Sequence, residues 1–98
     1  MYALDLGMST KKGYDLLTKI CGAGLIAACR DAGGAAIFSQ NKNKQRAAEP
    51  LFEKACEGND ALSCASLGQI YAERGNHQRA RELKAKACDL APENYCRE

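Results

Sequence analysis

A chain of 98 residues, 27% of them charged and with a formal net charge of +2, lacks the concentrated basic excess of a nucleic-acid binder. No apolar run approaches the ~20 residues that a membrane span needs, which argues against insertion. Six cysteines in so short a chain point to a small domain whose modest core is reinforced by disulfides in an oxidising compartment.

Ala, Leu, Lys, Glu and Arg dominate and β-branched residues are scarce, a composition that predicts an all-helical fold. The opening stretch, residues 1–8, has neither the basic start nor the ~7–15-residue apolar core of a signal peptide. Its Leu6-Gly7 echoes Leu67-Gly68, and we read it as the remnant of a capping helix. Ser9 is the expected N-cap of a first clear helix running to about Cys21, with Leu16, Leu17 and Ile20 as its apolar stripe. Gly22 and Gly24 end it. A second helix is predicted from about Leu25 to Phe38. Its Ala32-Gly33-Gly34-Ala35-Ala36 run either permits close helix approach or weakens the helix by about 1 kcal/mol per Gly.

After a polar turn over Ser39 to Asn43, a third helix from about Lys44 to Glu57 should bury Ala48, Leu51, Phe52 and Ala55. Pro50 is expected to bend it or to mark its true first turn. Asn59 or Asp60 then caps a fourth helix through about Arg74, with Leu67, Ile70 and Tyr71 facing inward. Gly75-Asn76 forms the next turn, and a fifth helix from His77 to Leu90 buries Ala80, Leu83 and Ala87. Pro92 ends it, and Glu93 to Cys96 turn back as a stub.

The cysteines expose the plan of the chain. Cys21 and Cys29, Cys56 and Cys64, and Cys88 and Cys96 are each eight positions apart, and each pair straddles a predicted turn. Zinc sites want short Cys-x₂₋₄-Cys knuckles and redox centres a Cys-x-x-Cys, and neither occurs. Structural bridges remain, each closing a loop of about nine residues and worth roughly 2.5 kcal/mol on the chain-entropy model. Superposition on the cysteines places Ala48, Leu51, Ala55 and Cys56 on Ala80, Leu83, Ala87 and Cys88, and Gly33 on Gly68. The periods are 35 (Cys21 to Cys56) and 32 (Cys56 to Cys88), the range of helical-pair repeats that stack to bury a face no pair buries alone. One domain over 1–98 with hairpin units at 9–38, 44–74 and 77–96 follows.

The motif Ala55-Cys56-Glu57-x-Asn59-Asp60-x-x-x-Cys64-x-x-Leu67-Gly68-x-x-Tyr71 resembles the Sel-one-like repeats of the Helicobacter cysteine-rich protein family. The resemblance extends over about residues 13–96 and departs at the short Tyr71 to Ala80 turn, which is similar to a tetratricopeptide repeat. It implies a short right-handed αα-hairpin solenoid with one disulfide per hairpin. It also implies a periplasmic or secreted protein, or alternatively one of the mitochondrial intermembrane space, where assembly factors have similar repeats.

Other candidate sites reduce to structure. Gly22-Ala23-Gly24-Leu25-Ile26-Ala27 fits a dinucleotide fingerprint, but no strand precedes it, so a helix–helix turn is expected. His77 reads as a solvated first-turn residue. Arg79, Arg81, Lys84 and Lys86 read as a solvated face diluted by Glu82 and Asp89. The expected function is therefore a non-catalytic, monomeric protein-interaction module that takes a peptide or protein partner and needs no cofactor or metal. Such a module fits an envelope, secretion-associated or immunity protein. The alternative, implied by the resembled family, is weak binding or hydrolysis of β-lactams, although the one Ser-x-x-Lys match, Ser9 to Lys12, falls in a cap-and-turn setting. In the resembled repeats the first helix of each pair lines a concave surface. Here that surface comprises Leu62, Ala65, Gln69, Ala72 and Glu73 of one helix and Ala27, Arg30, Gly34, Ile37 and Phe38 of the other. Phe38 is the expected anchor, and Arg30, Gln69 and Glu73 orient an extended partner segment.

Overall fold

A computed structural model describes residues 11–39 and 42–96 of the chain. The expected capping remnant at 1–8, the Ser9 cap and part of the polar turn lie outside the described residues. Among the described residues all regular structure is helical: α1 (Lys11–Gly22), α2 (Ile26–Ile37), α3 (Lys42–Glu57), α4 (Ala61–Glu73), α5 (His77–Leu90) and α6 (Pro92–Tyr95). The most extensive pairings are α2 with α3 and α4 with α5. Smaller pairings join α1 to α2 and α3 to α4, α6 rests on α5, and α2 touches α4 only lightly.

One local device makes three of the turns. Gly24, Asn59 and Gly75 have positive φ. After each of them the next amide reaches back five residues, from Leu25 to Ile20 O, from Asp60 to Ala55 O and from Asn76 to Tyr71 O. This is the Schellman closure, which satisfies carbonyls at a helix end and reverses the chain. The left-handed backbone it requires is what Gly tolerates best and Asn next best, which is why those residues stand there. Asp60 and Asn76 then cap the following helices, accepting bonds from Ser63 N (3.0 Å) and Arg79 N (3.2 Å).

The three bridges join Cys21 to Cys29, Cys56 to Cys64 and Cys88 to Cys96, leaving no free thiol. The core is built largely of small residues. Its main cluster holds Ala36, Ala48, Phe52, Cys56, Cys64, Leu67, Leu83 and Ala87, and a lesser one holds Cys21, Ala28, Cys29 and Ala55. Half-buried Leu51 packs on both, so α3 is the central element. The ambiguous diglycine is resolved at Gly33, where an added Cβ would stand 2.9 Å from the Phe52 ring. Close approach of α2 to α3 explains this glycine. Gly68, four residues after Cys64 as Gly33 is four after Cys29, sits close on α5 but less tightly, with Ala80 O and Lys84 Cγ 3.3 Å from an added Cβ.

Two expectations need correction. Leu16 is 57% exposed, because α1 buries the face carrying Leu17, Ile20 and Cys21 against its neighbours, and Leu16 lies one step round the helix from it. Pro50 does not open α3. It lies exposed in the interior of a helix that begins at Lys42, where its missing N–H withdraws one backbone donor.

Candidate functional site

The light contact between α2 and α4 leaves a cleft between them of about 450 Å³. From α2 it is lined by Arg30, Asp31, Gly34, Ile37 and Phe38, a set at three- and four-residue steps that puts one face of the helix on the groove. Leu62, Ser66, Gln69, Ile70 and Glu73 do the same from α4, and Phe52 of α3 forms the floor. Arg30, Phe38, Gln69 and Glu73, the four residues singled out from sequence, therefore share one cavity. Phe38 is 87% exposed and Leu62 49% exposed, so two large apolar side chains stand at the rim, Phe38 with most of its surface in water and Leu62 with about half.

The face differs in detail from the expected one. Ala27 and Ala72 do not line the cleft, and Ala65 packs against the main core cluster. Asp31, Ser66 and Ile70 take part instead. A groove wall covers a broad arc of each helix, so consecutive residues such as Arg30 and Asp31, or Gln69 and Ile70, both reach it. The expected face takes only Arg30 and Gln69 from these two pairs.

Arg30 is tied down. Its guanidinium meets Asp31 Oδ1 at 3.4 Å and Asp60 Oδ1 at 3.2 Å. The other Asp60 oxygen caps α4 and accepts from the fully buried Ser63 hydroxyl at 2.6 Å. Arg30 thus braces α2 against the start of α4, and its charge is largely answered within the protein. Gln69 Nε2 donates to Glu73 Oε2 at 3.3 Å on the opposite wall.

Next to the cleft, and sharing Ile37, Ile70 and Glu73 with it, lies a polar shelf lined also by Lys42, Gln45, Arg46, Glu49 and Arg74. Glu49 pairs with Arg74 and accepts the Tyr71 hydroxyl at 3.2 Å. Arg74 and Arg79 both stand 5.9 Å from the centre of the Tyr71 ring. Burial, then the hydrogen bond to Glu49 and the negative charge of Glu49 and Glu53, hold the Tyr71 phenol above its ordinary pKa. Lys42 and Arg46 make no ion pair among the described residues, which leaves two cations against the Glu73 carboxylate on this shelf.

Among the described lining residues Ser66 is the one hydroxyl, and no histidine joins it. His77 is exposed at the start of α5, outside both linings. Arg79 belongs to the Tyr71 cluster through Glu53 at 3.7 Å, so it is bound between helices and is not part of an open basic patch. No group of three or more His, Cys, Asp or Glu suited to a metal occurs among the described residues, and no helix there is long and apolar enough to cross a membrane. Chemically, the cleft offers apolar wall, a hydrogen-bonding pair and flanking charge.

No protein-family model, curated protein or solved structure matches the chain.

Proposed function

We propose that this protein is a non-catalytic binding module built as a short αα-hairpin solenoid of Sel-one-like or tetratricopeptide-like repeats. Its α2–α4 cleft receives an extended segment of a protein partner. The observation that carries the reading is the cleft itself: about 450 Å³ of largely apolar space with Phe38 and Leu62 exposed at its rim. Large apolar side chains held in water at the mouth of a groove mark interaction surfaces, and aromatic anchors carry much of the energy of such contacts.

The solenoid assignment is supported by equivalent glycines at both major helix pairings, by three turns of one geometry and by bridges of one spacing. Three disulfides in so small a chain suit an oxidising setting, and we place the protein in the periplasm or outside the cell as a monomer.

Charge specifies the partner further. The segment carries a bulky apolar residue that seats on Phe52, Ile70 and Leu62, and close to it an acidic residue that reaches Lys42 and Arg46. A rim ion pair contributes only about 0.2–1 kcal/mol, so the acidic group sets direction while the anchor supplies affinity.

Selection from a displayed random-peptide library, followed by fluorescence anisotropy on the selected peptides, tests this. Sequences with a bulky apolar residue within a few positions of Asp or Glu should be enriched. Phe38→Ala should weaken them at least several-fold with the circular dichroism unchanged, whereas Arg81→Ala should not. Peptides that bind Phe38→Ala as tightly as the parent, or that lose binding on Arg81→Ala, place the interaction elsewhere.

A further inference from the structure

The three bridges share a sequence spacing and have Cα separations of 4.6, 4.6 and 4.7 Å, yet their surroundings differ. The cysteines of the first two are each at most 4% exposed and lie inside the core clusters. Cys96 is exposed and Cys88 only half buried, and neither belongs to a cluster. This third bridge ties α5 to the four-residue α6, which rests on α5.

Thiol–disulfide exchange needs a thiolate to reach a sulfur directly. A bridge inside a packed helix pair is shielded until that pair opens, whereas a bridge at the surface reacts in the folded protein. We propose that Cys88–Cys96 is a thiol-exchange site of this chain, attacked at Cys96 Sγ by a small thiol while the other two bridges stay closed. The incoming thiolate forms a bond to Cys96 Sγ, the Cys96–Cys88 bond breaks, and its electron pair leaves on Cys88 Sγ, which takes a proton from water. A second thiol molecule can then attack the mixed disulfide, which yields two reduced cysteines and the oxidised dimer of the small thiol.

The consequence is local. Tyr95, next to Cys96, is half buried against the main core cluster. With the bridge open, the short α6 is held to α5 only by its own contacts, and Tyr95 is free to leave the cluster. Both other bridges still hold α1 to α2 and α3 to α4.

The test treats native protein with graded dithiothreitol, quenches with iodoacetamide and maps the alkylated peptides by mass. Cys88 and Cys96 should be labelled at least ten-fold faster than the other four cysteines. Reduced glutathione in place of dithiothreitol should leave its adduct on Cys96. The double variant Cys88→Ser/Cys96→Ser should keep its helical circular dichroism and lose the fast-labelling phase. Equal labelling of all six cysteines, or a fast phase that survives in the double variant, overturns the proposal. An adduct on Cys88 overturns the choice of attacked sulfur.

Discussion

A methyl group added at Gly33 would stand 2.9 Å from the Phe52 ring, whereas one added at Gly34 would meet nothing within 4 Å. Replacing glycine by alanine inside a helix gains about 1 kcal/mol in backbone terms. At Gly34 nothing opposes that gain, so Gly34→Ala should raise stability by about 1 kcal/mol. At Gly33 the buried Phe52 ring has to yield, and overpacking costs about 1–3 kcal/mol, so Gly33→Ala should be neutral to destabilising by up to about 2 kcal/mol. Urea midpoints of the two variants check this, and a larger gain at Gly33 than at Gly34 would contradict the packing argument. The sequence leaves both roles of this diglycine open, because what faces each position is set by a residue nineteen places away or by empty space. The same holds at Arg30, whose identity suggests recognition while its partners, Asp31 and Asp60, make it a brace.

At the scale of single helices the chain is legible where the signal is local. A cap at Asn59 or Asp60 and another at Asn76, Gly24 and Gly75 as turn residues, and the buried Ala80, Leu83 and Ala87 of α5 follow from short-range pattern, and the structure gives the first cap to Asp60 and the turn to Asn59. What pattern does not supply is the traffic between helices. Tyr71 of α4 meets Glu49 of α3, which pairs with Arg74, and Arg79 of α5 reaches Glu53 of α3. This cluster ties three helices together and has a pH signature. The phenol of Tyr71 is raised above its ordinary value near 10, so the fold favours its neutral form. That contribution is fully present below the unfolded pKa and is lost as pH rises through the higher folded one. Absorbance at 295 nm should show a late-ionising contribution from Tyr71 that is lost in Tyr71→Phe. Glu49→Gln should move it toward ordinary values without abolishing it, since burial is the leading cause. Tyr14 is raised too, by burial and then by Asp15, so one late phase should remain after Tyr71→Phe.

Across the whole molecule the three bridges share one spacing, and the surroundings of each set how much it matters. The Cys21–Cys29 and Cys56–Cys64 bridges close loops of equal length, so chain entropy assigns each the same contribution, roughly 2.5 kcal/mol. Their settings are unequal. Cys56 and Cys64 lie in the main core cluster and join α3 to α4, the smaller pairing that connects the two extensive ones. Cys21 and Cys29 lie in the lesser cluster and hold α1 against α2 at one end of the described chain. Both double variants leave a buried void, but that of Cys56→Ala/Cys64→Ala lies in the main cluster, between the two extensive pairings, so it should cost the more of the two beyond the shared entropic amount. A loss of about 2.5 kcal/mol in a domain of this size corresponds to a Tm lower by about 10–20 °C. Cys21→Ala/Cys29→Ala should fall near that range and the central double variant beyond it. The central variant should also lose cooperativity, with the calorimetric enthalpy exceeding the van't Hoff value as α2–α3 and α4–α5 begin to melt separately. Differential scanning calorimetry of the two double variants decides the matter. Equal Tm losses with cooperativity intact would mean that the two pairings are held together by packing alone, and that the central bridge adds only its loop entropy.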